Sequence, residues 1–317
     1  MDSEVNEVNP TVSVIIPSYN CERYIAETID SILGQTFQDL ELIVVDDGST
    51  DRTREIVNSF GHPVRLVTQQ NARVCAARNR GIRESRGKYI CLMDHDDYWF
   101  AHKLASQVKC LEEHPEAGAA HSPFILWHPD ANGNFPPPQS LAPQGDLEEV
   151  SAEDSGWMYH RLLFDCVMLT SSAMFRREVF DKCGNFDESL PYSEDWDLWF
   201  RISRAYPFIK LRQPTTLYRQ HPQQGNRVVR DIDYRTVLLE KAFNRWGLTG
   251  PDGQSADRKK FMRQLAKYHA DFGLHHLQAG HVQKASESFL KAWKRNPMQP
   301  KYLAYIAAGF LGWRPKW

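Results

Sequence analysis

The stretch VSVIIPSYNCERYIAETIDSILGQTFQDLELIVVDDGSTD, residues 12–51, decides the fold. Two β-branched runs, VSVII (12–16) and LELIVV (40–45), enclose a segment in which Ile25, Ile29, Ile32 and Leu33 recur at helical spacing. The intervening length suits a right-handed crossover between parallel strands, so the unit reads as βαβ. Pro17 is expected to end the first strand and DDGSTD (46–51) the second, with Ser49 or Thr50 capping the next helix. Working outward, VRLV (64–67), a helix from about Ala72 to Glu84 and YICLM (89–93) continue the alternation. The pattern predicts an α/β fold with a mostly parallel, Rossmann-like sheet flanked by helices.

Beyond Lys109 the pattern is less regular. HPDANGNFPPPQSLAPQG (128–145) reads as a long loop over the sheet edge, followed by a strand near Ser171 to Phe175 and a helix starting near Ser193. In the last sixty residues Gly273, Ala285, Phe289, Ala292 and Pro297 fit the spacing of one tetratricopeptide-like hairpin. A short amphipathic helix, Lys301 to Leu311, comes after it. Residues 1–255 are therefore expected to form the sheet domain and 256–317 a helical C-terminal extension.

Composition sets limits on function. With 42% hydrophobic and 12% aromatic residues the 317-residue chain can build a sizeable core. Thirty-eight Lys and Arg against 40 Asp and Glu leave a formal charge of −2, which gives no electrostatic case for nucleic acid. The charge is unevenly spread. From Ala256 onward there are 12 Lys and Arg against 3 Asp and Glu, net +9, leaving −11 for the rest. Such a tail reads as a solvated helical face, a surface for a protein partner or self-association, or a peripheral contact with an anionic membrane. The six cysteines form no CxxC pair and follow no signal peptide, so a cytoplasmic location is expected, at the inner face of the membrane if the tail binds lipid. The longest apolar stretch, YLAYIAAGFLGW (302–313), falls short of the ~20 residues a bilayer-spanning helix needs.

Ligands of open α/β sheets collect beyond the carboxyl ends of the strands, where PSYN (17–20), DDGS (46–49) and DHDD (94–97) all fall. Asp94 and Asp96 share one face if the strand persists through them, with His95 and Asp97 on the other. The pair reads as a solvated loop or as oxygen ligands for Mg or Mn, cations that keep positions open for phosphate oxygens. Asp46 and Asp47 either terminate a strand and cap a helix or accept hydrogen bonds from a base or ribose. Tyr19 either packs locally or stacks on a nucleobase. Glu194, Asp195 and Asp197 open a helix, as the dipole alone favours, or supply a general base partly desolvated by neighbouring tryptophans. His221 stands between Arg219 and the Gly225 and Arg227 of a basic loop; it is either structural or part of a closure over a diphosphate.

VSVIIPSYN, LELIVVDDGSTD, AARNRGI, GKYICLMDHDD and SEDWDLWFRI, in this order and spacing, resemble family 2 glycosyltransferases of the GT-A fold from about Thr11 to Pro222. The resemblance implies an inverting, metal-dependent hexosyl transfer from a nucleotide-sugar donor, with UDP the expected carrier, to a hydroxyl acceptor. The acceptor would be a glycan or lipid-linked molecule of bacterial surface polysaccharide or glycolipid synthesis. It further implies nucleotide contacts from Pro17, Tyr19, Asp47 and Arg78, and Asp94 on the ribose or assisting the metal. Asp96 would be the metal carboxylate, His221 would lie near the metal and diphosphate, and Asp195 would be the base. Two departures stand out. Arg73 occupies a position where the family commonly has glycine, and the QxxRW segment of processive synthases is not evident, which favours transfer of a single sugar.

Two rivals remain open on sequence alone. A nucleotidyltransferase making the sugar nucleotide would also need a βαβ site and Mg, yet PSYNCERY (17–24) lacks the glycine-rich loop such enzymes carry. A non-catalytic nucleotide-binding scaffold would have no use for the intact carboxylate clusters.

Overall fold

The structure, a computed structural model, describes residues 9–224 and 230–315. They fall into two compact units, one within Met1–Met158 and Cys166–His221, the other within Tyr159–Asp165 and Pro222–Trp317. Gly225 and Arg227 of the expected basic loop lie outside the described residues.

In the first unit the opening elements run β1 (Val12–Ser18), α1 (Ile25–Leu33), β2 (Leu40–Asp46), α2 (Thr53–Ser59), β3 (Val64–Thr68), α3 (Arg73–Glu84) and β4 (Tyr89–Leu92). Then come β5 (Tyr98–Trp99), α4 (Lys103–Glu113), β6 (Ala119–His121) and β7 (Phe124–Trp127). After the long loop, α5 (Tyr159–Leu162) belongs to the second unit, and β8 (Ala173–Arg176), α6 (Arg177–Cys183), α7 (Glu194–Ser203), β9 (Phe208–Lys210) and β10 (Thr216–Arg219) complete the first. Seven strands form the main sheet in the order β3-β2-β1-β4-β8-β6-β9. The pairs β3-β2, β2-β1, β1-β4 and β6-β9 are parallel, whereas β8 runs antiparallel to both its neighbours. A second sheet has the order β5-β10-β7.

The core follows from the β-branched runs. Every residue of β1 is buried, as a central parallel strand covered on both faces requires. Ile25, Ile29 and Ile32 of α1 bury one side of that helix in the same cluster as Val14, Ile16 and Val44. Each such side chain contributes about 1.5–3 kcal/mol over leaving it exposed. On α3, Gly81 lets the helix lie against β1, since a Cβ there would come within 2.2 Å of Ile15 Cγ2.

Three local expectations are corrected. Pro17 does not end β1, which runs on to Ser18 with Pro17 opposite Val45 in the parallel ladder. Neither Ser49 nor Thr50 caps α2; the N–H of Thr53 instead donates to Asp51 Oδ1. And β4 stops at Leu92, so residues 94–97 form a turn rather than an extended strand, closed by Asp97 N donating to Asp94 O at 3.3 Å.

The second unit is helical: α8 (Tyr234–Trp246), α9 (Arg258–Gln278), α10 (Val282–Arg295) and α11 (Lys301–Phe310). It includes α5 and α8, both earlier in the chain than residue 256. Ala285, Phe289 and Ala292 are buried between α9 and α10, and Gly273 makes room for Phe289, whose Cε1 would lie 2.8 Å from an added Cβ. This is the small-aromatic-small packing of a tetratricopeptide-like hairpin. No helix among the described residues is long and apolar enough to cross a membrane.

Candidate active site

The carboxyl ends of β1, β2 and β4 bring the three acidic and polar clusters to one sheet edge. PSYN and DDGST are tied directly: Asn20 N donates to Ser49 Oγ at 3.0 Å and Thr50 N to Asn20 Oδ1 at 2.8 Å. Asp46, buried, accepts from Arg54 Nε at 2.6 Å and from Ser49 N, and so shapes the turn. Asp47, also buried, is held by Gln69 Nε2 and Ala72 N, both 2.8 Å from its Oδ1. Tyr19 leaves 47% of its surface exposed on the same rim. Pro17 is buried, and its carbonyl contacts His95 Nδ1 at 3.2 Å.

The turn at 94–97 sends its side chains to different partners. Asp94 Oδ1 accepts from Arg78 Nη2 at 2.7 Å, and the other arm of that guanidinium, Nη1, reaches Glu194 Oε1 at 2.7 Å. Arg78 is buried, so this fork is a desolvated clamp joining the 94–97 turn to the start of α7. Asp96 Oδ2 lies 2.8 Å from His221 Nε2. Burial alone would push the Asp96 carboxyl up, but the His221 hydrogen bond and the His95 and His221 rings outweigh it and hold the group below the ordinary aspartate range. Asp97 turns inward, accepting from Ser171 Oγ at 2.6 Å and from Arg219 N at 3.2 Å. Its burial, with Asp96 and Asp94 close by, raises it well above the usual carboxylate range.

Arg219 fastens the turn from beneath. Its guanidinium lies over Trp127 at 4.0 Å and over Tyr24 and Phe135 at 4.7 Å each, while Nε donates to the Asp96 carbonyl at 2.6 Å. His221, two residues on, packs on Tyr24 with ring centroids 4.9 Å apart. The aromatic box together with Glu27, whose Oε2 pairs with Arg219 Nη2 at 2.5 Å, lowers the cost of burying the cation, and the cation fixes the backbone that carries Asp96.

Asp195 occupies the first turn of α7, its Oδ1 accepting from Trp196 N at 2.7 Å. Burial, then the Glu194 charge, push it up to about 7, against the opposing pull of Arg78. A carboxyl poised there can exchange a proton near neutral pH. Ser193, immediately before it, has φ 59°; Asn20 and Arg73 are the other non-glycine residues with positive φ among the described residues. All three border this edge, where strained backbone commonly marks function.

Arg73 explains one departure from the family pattern. Its φ of 73° is a conformation glycine adopts freely and a β-carbon disfavours. The side chain points to solvent. Arg73→Gly is therefore expected to stabilise the chain by about 1 kcal/mol, read as a higher denaturant midpoint with unchanged slope. Equal or lower stability would show that the arginine makes contacts outweighing the strain.

Among the described residues no three His, Cys, Asp or Glu side chains are grouped to hold a metal ion. The Asp96–His221 pair offers two donors. Asp96 is the carboxylate of the pair, the kind of ligand Mg takes beside phosphate oxygens and water, while His221 Nε2 is hydrogen-bonded to it.

With this geometry in view, the relatives are informative. The profile described as glycosyl transferase family 2 matches residues 13–184, more than half the chain. The chain belongs to the family 2 glycosyltransferases. A glycosyltransferase of Rickettsia prowazekii is 33% identical over 202 residues, 63% of this chain and 61% of that protein. The hyaluronan synthase of Pasteurella multocida is 27% identical over 286 residues, 86% of this chain but 28% of that protein. The chain thus spans less than two thirds of the length of these relatives. Among solved structures, S. aureus TarS 1-349 in complex with UDP-GlcNAc superposes with a TM-score of 0.61 at 19% identity, covering 95% of this chain and 88% of that one. The mannosyltransferase PcManGT of Pyrobaculum calidifontis, in complex with GDP-Man and Mn2+, gives 0.55 at 21%, covering 96% and 87%. These likenesses establish the GT-A fold.

The sequence alone brings Asp47, Asp94 and Asp96 to one edge and puts Asp195 at a helix start, but it does not reveal their scaffolding. Ser171, which links Asp97 to the Asp94 N–H, carries no sequence signal. Arg219 is visible in the sequence only as a basic neighbour of His221, whereas it ends β10 with its side chain buried.

Proposed function

We propose that the chain is an inverting glycosyltransferase that moves a hexose from a nucleoside diphosphate donor, with UDP the expected carrier, to a hydroxyl of a glycan or lipid-linked acceptor in polysaccharide synthesis. The observation carrying this reading is the Arg78 fork. It holds the 94–97 turn and the Glu194–Asp195 helix start together, which supports reading the turn as the diphosphate site with a general base beside it. The ligands named for TarS and PcManGT support the donor class, and the hyaluronan synthase relative supports the pathway class.

In this reading Asp47 and Tyr19 receive the base, with Pro17, Arg78 and Asp94 shaping the nucleotide and ribose pocket. Asp96 and His221 would hold a divalent cation, which when bound neutralises charge building on the departing diphosphate. Asp195 takes the proton of the acceptor hydroxyl. The oxygen's electron pair forms the new bond to the anomeric carbon from the face opposite the leaving nucleoside diphosphate, and the old carbon–oxygen bond's pair leaves with that diphosphate. Configuration inverts, and no covalent enzyme intermediate is formed.

The test is a panel of UDP- and GDP-sugars with and without Mn, followed by calorimetry and by hydrolysis in the absence of acceptor. Tight, Mn-dependent binding and slow hydrolysis of one donor is the expected result. Binding to none, or pyrophosphate release from a nucleoside triphosphate and a sugar phosphate, would overturn the reading.

A further inference from the structure

The second unit carries an apolar stripe that the transferase reading does not use. One side of α11 packs inward: Tyr302 and Gly309 are buried, Tyr305 and Ile306 are partly so, and the Tyr305 ring meets Phe289 at 5.3 Å and Trp313 at 5.7 Å. The opposite side holds Leu303, Ala304, Ala307, Phe310 and Leu311, all exposed. At 100° per residue these five span an arc of about 120°, so they form one continuous stripe. Phe310 is 71% exposed and Leu311 88%. Residues 302–313 contain no charged side chain. A helix apolar on both faces, with only one face covered, calls for a second apolar phase.

We propose that α11 lies flat in the surface of an anionic lipid bilayer, with Leu303, Phe310 and Leu311 inserted among the acyl chains. Three observations choose this occupant. Lys294 at the end of α10 and Lys301 at the start of α11 are exposed, Arg314 follows the stripe, and the chain from residue 256 carries net +9. That charge matches anionic headgroups, whereas pairing the stripe with a second copy would bring two basic rims together. At ten residues, about 15 Å, the helix is too short to span a bilayer and suits an interfacial position. Trp313 beyond its C-terminal end is 43% exposed, the kind of side chain that settles at headgroup depth.

The experiment uses the full chain and sedimentation with vesicles of phosphatidylcholine alone or with about one third phosphatidylglycerol. Wild type is expected to bind the anionic vesicles and to be weakened by raising salt from about 0.1 M to about 0.5 M. The double change Phe310→Asp, Leu311→Asp should lower the partition coefficient at least ~10-fold, because two inserted apolar side chains are lost. Leu303→Asp, elsewhere on the same stripe, should act in the same direction. Lys294→Glu with Lys301→Glu should weaken binding and flatten its salt dependence. All five positions are exposed, so thermal unfolding should be unchanged. No binding by wild type, or equal binding by the double variant, overturns the proposal. So does light scattering that shows a dimer without vesicles which the double variant renders monomeric, since the stripe then belongs to a second copy. The readout needs no turnover, so it stands apart from the donor panel.

Discussion

Asp195→Asn is expected to lower kcat by ~10²–10⁴, the usual contribution of a positioned general base, while donor affinity stays near that of wild type. The amide keeps the shape of the side chain and can still receive the Trp196 N–H, but it cannot take the acceptor's proton. Single-turnover transfer with the donor found by the panel separates the two effects. An Asp195→Asn enzyme that retains full turnover removes the assignment. The wild-type pH profile gives a second check. The base acts ionised and burial has raised it to about 7, so kcat/KM should climb with pH through that region and level above it.

The same group makes a stability prediction of opposite sense. A carboxyl whose proton affinity is higher in the folded chain binds more protons folded than unfolded between about pH 4 and pH 7. Its contribution to stability therefore falls as pH rises through that window, and the ionised carboxylate is a net cost above it. Asp195→Asn should be more stable than wild type at pH 8 and indistinguishable near pH 4, as denaturant titrations at the two pH values would show. A gain in stability with a loss of rate is the mark of a group placed for chemistry.

Asp96→Ala is the second large effect. It removes the carboxylate, leaves His221 without its 2.8 Å partner, and takes one of the two proposed cation ligands from the edge. We expect kcat/KM to fall on the order of 10³. Unlike Asp195→Asn, it should weaken donor binding as well as turnover, and added Mn should restore little. If Asp96→Ala binds the donor as wild type does and loses only rate, the carboxylate acts on the transition state without holding the cation. Chelation of wild type should reproduce the loss.

Much of the site was legible because it depends on local order. Strand-ending acidic clusters placed Asp47, Asp94 and Asp96 beyond the sheet, and the helix-opening SEDWDL placed Asp195. Side-chain direction was not legible. Had the strand continued past Met93, Asp94 and Asp96 would share a face. The chain instead turns, and Asp94 goes to Arg78 while Asp96 goes to His221. That outcome depends on contacts 16 and 125 residues away, which no local pattern encodes. Burial of Arg219 among three rings is likewise a product of long-range packing, drawing Tyr24, Trp127 and Phe135 from separate segments. The glycine position occupied by Arg73 was visible as an anomaly, but its cause, a left-handed backbone, needed coordinates.

The most direct measurement is anomalous diffraction at the manganese edge from a crystal soaked with Mn2+ and UDP. A single strong peak within ligand distance of Asp96 and His221, bridged to both phosphoryl groups of the nucleotide, is the result expected. A nucleotide bound at this edge with no manganese beside Asp96, or manganese held elsewhere on the chain, would contradict it.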